Sequence, residues 1–279
     1  MNFLSSCFGS GSKANLNSRD ESPQMPSKPS DEEILRYENE LRNEEAAQGP
    51  LVSPLLPLSI LQDEFPNTNF AIKLDLLNSH HKFNEIRKCR RDGNCFYRAV
   101  AFDIIEKFKK DPETAIQKYQ SKWKDQLKAV GFDSSIFEDF SDAFWSFLEN
   151  PQISLQDAWE TDEYTSNMAI MLLRLLTSAH IRSNPEDYLD FFELAPQDAN
   201  SIEKWSERSA DSVDVDADQV QVIALAKILQ IKIVVANLGS GLETDDLQVY
   251  EFDFCVYDND EDPLIVYLLY RPGLLHRPG

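Results

Sequence analysis

The sequence predicts an α+β domain, helix-rich through its first two-thirds and ending in a small β-sheet. Three observations carry that expectation. Apolar residues recur at helical spacing in segment after segment between about residues 67 and 229. β-branched and alternating runs are concentrated after residue 230. With 279 residues, 42% of them hydrophobic, the chain has ample material for a core, in one large domain or two small ones.

Taken in order, residues 1–29 are rich in Ser, Asn, Gly, Lys and Pro and offer little to bury, so they are expected to be a disordered tail. Ser30 followed by Glu33 is a capping-box pattern. It opens a sparsely apolar helix over 30–49 (Ile34, Tyr37, Leu41), which Gly49-Pro50 stops. From residue 50 to 279 the chain reads as the main domain. Leu51 to Leu61, broken by Pro54 and Pro57, is apolar without being one regular helix, and is expected to pack across the domain surface.

Asn67 to Ser79 carries Phe70, Leu74 and Leu77 at helical spacing. A mostly apolar helix starts at Cys95, through Phe96, Ala99, Val100, Phe102, Ile104, Ile105 and Phe108. Further helices are predicted over 113–130, 135–149 and 165–182, and Asp218 caps one through Val220, Ile223 and Leu229. Strands are predicted at Ile231–Val235, at Gln248–Phe252 and at Leu264–Tyr270, the last apolar enough to be buried on both faces. The acidic stretch Asp253 to Asp262 is expected to join two strands of a hairpin; a calcium loop lacks its glycine-centred ligand spacing here.

Composition then excludes functions. A formal net charge of −21 argues against a nucleic-acid-binding surface and fits a protein whose acidic surface serves solubility or a positively charged partner. The four cysteines, Cys7, Cys89, Cys95 and Cys255, are far apart, with no C-x-x-C pair and only four histidines, so neither a zinc site nor another cofactor is expected. That cysteine usage suits a reducing compartment. The N-terminus has no basic region or long apolar core, and Asn2 excludes myristoylation. The longest apolar segment, Met168 to Ile181, is short and interrupted by Arg174, which reads as a buried helix and not a membrane span. The cytoplasm is the expected location, with the nucleus as a second.

Asp92-Gly93-Asn94-Cys95-Phe96-Tyr97 is the segment richest in chemistry. It sets a thiol one step past a polar turn, at the start of an apolar helix. Free backbone N–H groups and the positive end of the helix dipole stabilise a thiolate there. The same groups can hold the oxyanion formed when a thiolate attacks a carbonyl. A buried inert thiol is the structural alternative for Cys95, and an ordinary Asp-Gly turn carboxylate is the alternative for Asp92. Cys89 and Cys255 lie in strand-like context and read as structural.

Arg91 to Ala99 (RDGNCFYRA) resembles the nucleophile signature of the OTU-type cysteine proteases, and of their otubain subfamily. Further segments are similar to otubains in the same order: Gln48 to Ser53 (QGPLVS), Leu172 to Ser178 (LLRLLTS), Asp218 to Ala226 (DQVQVIALA) and Val266 to Gly273 (VYLLYRPG). The resemblance runs from about 44 to 273 and implies the papain-like OTU fold. It also implies deubiquitination, the hydrolysis of an isopeptide bond between a ubiquitin C-terminus and a lysine. It assigns Cys95 as nucleophile and Asp92 as the residue helping to form and orient the oxyanion site. The implied partners are ubiquitin, polyubiquitin chains and, through the helix near 31–47, a ubiquitin-conjugating enzyme.

One departure stands out. A cysteine hydrolase needs an imidazole beside its thiol, oriented by a third polar group. The resemblance places that histidine directly after Arg271-Pro272-Gly273, followed by Tyr, a polar orienter and a short last strand. Here Leu274 holds the position, followed by Leu275-His276-Arg277-Pro278-Gly279. His276 is two residues late for the role, and His80, His81 and His180 match nothing in the pattern. Without the last strand, Leu264–Tyr270 is expected to expose an unpaired apolar edge. The end is therefore read as an alternative or disrupted version of an otubain C-terminus, and the runner-up function is a catalytically impaired module that binds ubiquitin or a conjugating enzyme.

Overall fold

The helical periodicity is realised where the apolar spacing placed it. The computed structural model describes residues 3–7, 49–64, 69–150, 152–191, 199–239, 247–257 and 262–270. Helices α1 (Ile60–Glu64) and α2 (Asn69–His81) precede α3 (Cys95–Phe108). Next come α4 (Pro112–Ala115) and α5 (Ser121–Ala129), joined by a π-helical stretch at Ile116–Gln120. They are followed by α6 (Ser134–Glu149), α7 (Leu155–Thr161), α8 (Glu163–Ser183), α9 (Ala199–Ser206) and α10 (Gln219–Leu229). Asp218 caps α10 with a complete capping box, Gln221 returning the hydrogen bond. The expected capping box at Ser30 and the helix over 30–49 lie outside the described residues, apart from Gly49 at its end.

The strands are β1 (Phe3–Cys7), β2 (Leu56–Pro57), β3 (Glu85–Lys88), β4 (Lys232–Asn237), β5 (Gln248–Asp253) and β6 (Ile265–Tyr270). They form one sheet in the order β2-β3-β1-β6-β4-β5. Side chains alternate across it as strand geometry requires. Ile233, Val266 and Leu268 enter the main core with α3, α6, α8 and α10. Ile86, Ala236 and Leu269 face the other way, against Leu58, Leu74, Leu77 and Phe83. The sheet is thus covered on both faces.

Three expectations are corrected. The acidic stretch after β5 does not close a hairpin: β5 pairs antiparallel with β4, and β6 lies on the far side of β4, parallel to it. The hairpin is β4–β5. Second, order does not begin at Ser30, because Phe3–Cys7 is a strand, parallel to β3 on one side and to β6 on the other. Third, β6 is therefore not an edge. Two strands that each present unpaired N–H and C=O groups to a common slot favour any extended segment that satisfies both. Five residues suffice, and composition averaged over a tail of some thirty residues does not reveal them. Removing residues 1–7 is expected to lower the melting temperature by roughly 10 °C or more, because four paired positions with β3 and three with β6 are lost, at ~1 kcal/mol per backbone hydrogen bond and ~2–4 °C per kcal/mol for a domain of this size. An unchanged melt would mean that the sheet closes without β1.

Strands β3, β1, β6 and β4 run in the same direction. Their carboxyl ends therefore share one end of the sheet, where sites of parallel α/β sheets are commonly built. The chain leaving β3 there is the one that turns into α3 at Cys95.

Candidate active site

After β3, Cys89 bridges Val52 in antiparallel fashion, and the Arg90 N–H donates to the Leu51 carbonyl at 2.9 Å. This pins the approach to the turn from outside. Leu51 and Val52 are held in turn by the Glu160 carboxylate, which accepts from both backbone N–H groups at 3.0 and 2.8 Å. Within the turn Gly93 has φ +77°, a left-handed conformation that favours glycine. A Cβ there would lie 2.2 Å from the Asp214 carbonyl atoms. Asp214 is itself left-handed at φ +61°, an uncommon state for a residue with a side chain. Two segments 120 residues apart thus meet backbone to backbone beside the candidate nucleophile.

Asp92 is held by Arg98. Its Oδ1 accepts from Arg98 Nη1 at 2.7 Å and its Oδ2 from Nη2 at 2.6 Å, a two-pronged pair, while Oδ1 also accepts the Asn94 N–H at 3.0 Å. The Arg98 side chain is fully buried and that of Asp92 is 17% exposed. Burial opposes the guanidinium's charge, but the Asp92 carboxylate more than offsets it, so the Arg98 pKa is raised. The pair is one unit, and neither member tolerates loss of the other.

Asn94 stands at the N-cap of α3 yet makes no side-chain cap to it. Its carboxamide turns inward instead. Asn94 Oδ1 accepts from Arg174 Nη2 at 2.7 Å and from the Asp214 N–H at 3.2 Å, and its Nδ2 donates to Asp214 Oδ1 at 2.8 Å. The amides of the first turn are therefore left free of this side chain.

Cys95 is the first residue of α3 and only 2% exposed, so the thiol is covered in this conformation. Two buried cations, Arg98 and Arg174, interact favourably with its negative form. With the helix dipole they supply the electropositive setting that a working thiolate needs. The structure thus brings Asp92 and Cys95 together on one turn. Cys89 packs in the main core, and the thiol of half-buried Cys255 is pushed up first by burial and then by the Asp253 charge.

The histidines divide differently. His276 lies outside the described residues, and His80 and His81 end α2. His180 sits in the last turn of α8, near the Asn184 carboxamide and edge-on to Tyr188. Burial, followed by the Lys227 charge, lowers its pKa to about 4. The imidazole is neutral in the fold and protonated in the unfolded chain below about pH 6.5. Its share of the stability is therefore intact above pH 6.5 and lost as the pH falls toward 4. His180→Gln is expected to flatten the loss of stability between pH 6.5 and 4 in denaturant melts, and an unaltered slope would contradict this. Among the described residues no group of three or more His, Cys, Asp or Glu is placed to hold a metal ion, and no helix is long and apolar enough to cross a membrane.

Arg98, Asn94, Arg174 and Asp214 are site residues that sequence reasoning did not single out. One signal was available for Arg174, a lone cation inside the apolar helix, which counted only against a membrane span.

Comparison with known proteins agrees with this geometry. Residues 44–275 match the family described as Peptidase C65 Otubain. The ubiquitin thioesterase OTUB1 of Rattus norvegicus is 32% identical over 252 residues, covering 87% of this chain and 88% of that protein. An otubain-like ubiquitin thioesterase of Caenorhabditis elegans is 30% identical over 254 residues, 87% of each. A chain of the solved h/ceOTUB1–ubiquitin aldehyde–UBCH5B~Ub complex superposes with a TM-score of 0.68 at 27% identity, covering 86% of this chain and 94% of that one.

Proposed function

This chain belongs to the otubain peptidase family, and from that membership and the site geometry we propose that it is a thiol-dependent ubiquitin isopeptidase with Cys95 as nucleophile. The observation that carries the reading is the placement of Cys95 as the first residue of α3, on the turn that the Asp92–Arg98 and Asn94–Arg174 contacts order. The Cys95 thiolate attacks the carbonyl carbon that joins the ubiquitin C-terminus to a lysine amine. The carbonyl π electrons move to oxygen, and amides of the α3 start stabilise the oxyanion. Collapse breaks the C–N bond, and the leaving lysine amine takes its proton from water. The thioester left on Cys95 is then hydrolysed by water.

Asp92 acts in this scheme through the turn, by holding the Asn94 N–H and by pairing with Arg98. Its contribution is geometric order around the oxyanion site. The expected partners are ubiquitin and polyubiquitin chains, with a ubiquitin-conjugating enzyme as a further one. A solved neighbour holds ubiquitin aldehyde and UBCH5B~Ub together, which supports that pairing. We place the protein in the cytoplasm, where reduced thiols persist.

A second reading rests on Leu274, which stands at the position of the family histidine. Under it the chain binds ubiquitin or a conjugating enzyme and does not cleave. Incubation with di-ubiquitin, paired with a binding measurement on the Cys95→Ala variant, separates the two. Cleavage by the parent chain and binding by both supports the isopeptidase. Binding by both without cleavage by either overturns it in favour of the module.

A further inference from the structure

The buried guanidinium of Arg174 contributes charge near the thiol, but its dense set of hydrogen bonds to the turn has a further consequence. It lies on α8, fully buried, and its plane rests 4.4 Å from the Tyr97 ring centroid. Its donors reach the Gly93 carbonyl at 3.0 Å, Asn94 Oδ1 at 2.7 and 3.2 Å, and the Val215 and Ala210 carbonyls at 2.9 and 3.3 Å. Among the described ion pairs none involves Arg174. Its hydrogen bonds go to neutral oxygens, while the Asp214 and Asp92 carboxylates act on its charge from further off.

The Gly93–Asn94 peptide is consequently held at both ends. Its C=O accepts from Arg174, and its N–H, pointing the opposite way as a trans peptide requires, donates to Asp92. Glycine at positive φ is where a peptide plane rotates most easily, so an unclamped turn would be free to flip. A flip would turn the Gly93 carbonyl toward the Asp92 carboxylate, which repels it, and would disturb the helix start that carries Cys95. Arg174 also joins the same turn to the Ala210–Val215 segment, which fixes the left-handed Asp214 against Gly93. Lysine cannot reproduce this, because a single ammonium group has no planar fork to span four acceptors.

We propose that Arg174 is a positioning residue for the nucleophile: it locks the Gly93–Asn94 peptide and ties the turn that carries Cys95 to the Ala210–Val215 segment. This rests on the reading of Cys95 as the nucleophile. The test uses the full chain and three readouts. Peptide-resolved iodoacetamide alkylation gives the pH midpoint of Cys95. Labelling by ubiquitin bearing a C-terminal electrophile gives its reactivity in the assembled site. Near-UV circular dichroism reports the fold.

For Arg174→Lys with native dichroism, the charge is kept and the fork is lost, so ubiquitin labelling is expected to slow at least about tenfold with little movement of the Cys95 midpoint, whereas Arg174→Gln also raises that midpoint by roughly half to one pH unit. Asn94→Ala removes the carboxamide acceptor while leaving the Arg174 charge, so labelling slows with little movement of the midpoint. A folded Arg174→Lys variant with labelling unchanged overturns the proposal. If that variant loses its native dichroism, Asn94→Ala decides: slowed labelling supports the clamp, and unchanged labelling overturns it. Absence of labelling at Cys95 in the parent chain would instead fail the functional reading, while the alkylation midpoints still report on Arg174.

Discussion

Replacing Cys95 by alanine is expected to remove ubiquitin hydrolysis, a fall of at least about 10³–10⁴-fold, with the fold intact. The thiol is the only group at the α3 start that can form the covalent intermediate, and neither of the neighbouring guanidinium groups is a nucleophile. Cys95 packs in the main core, but the change removes one atom from a site bounded by the ordered Asp92–Arg98 and Asn94–Arg174 contacts. The structural cost is therefore small, on the order of 1 kcal/mol. Cys89→Ala and Cys255→Ala are expected to leave turnover per folded molecule unchanged, since both thiols belong to packing. Rates measured on di-ubiquitin for the three variants check the contrast. Retained cleavage by Cys95→Ala, or loss confined to Cys89→Ala, would contradict it.

Asp92→Ala is expected to cost about 3 kcal/mol of stability, the lower end of the ~3–5 kcal/mol seen when one member of a buried pair is removed. The lower end applies because the Asp92 side chain is 17% exposed while that of Arg98 is fully buried. The loss comes from a guanidinium left in the core without its carboxylate, together with an Asn94 N–H left without its acceptor. At ~2–4 °C per kcal/mol the melting temperature falls by about 6–12 °C. Asp92→Asn keeps an acceptor for the Asn94 N–H and should lose less. The double change Asp92→Ala with Arg98→Met is expected to recover part of the loss, because it removes the orphaned charge. Denaturant melts of the parent chain, Asp92→Ala, Asp92→Asn, Arg98→Met and the double variant measure this, and strict additivity of Asp92→Ala and Arg98→Met would count against the pair as one unit.

Much of the architecture was legible because its signals are local. Helices α3, α6 and α8 follow from apolar spacing, α10 from the Asp218 cap and its apolar run, and β4, β5 and β6 from β-branched and alternating runs. What was hidden depends on partners distant in sequence. β3 is four residues long and carries Arg87 and Lys88, so its alternation is masked. Arg87 is tolerated there because its guanidinium lies 5.0 Å from the Phe102 ring centroid and bonds Gln156 and Glu106. β1 is a strand only because β3 and β6 leave a slot for it. The side of β4 on which β6 lies is a matter of topology, which an acidic loop cannot encode.

The site divides along the same line. Asp92, Gly93 and Cys95 announce themselves through an Asp-Gly turn before an apolar helix. Arg174 and Asp214 lie 79 and 119 residues beyond Cys95, and only the fold brings them to the same turn. A lone arginine in an apolar helix was the visible trace of that contact. Asn94 stood in the polar turn without a role of its own, which emerges only from the inward turn of its carboxamide.

The most direct test of the account is to incubate the full chain with ubiquitin carrying a C-terminal electrophile and to map the adduct by mass spectrometry. The account predicts a single adduct, on Cys95, that is lost in Cys95→Ala. An adduct on Cys7, Cys89 or Cys255 in its place, or no adduct at all on a natively folded chain, would contradict it.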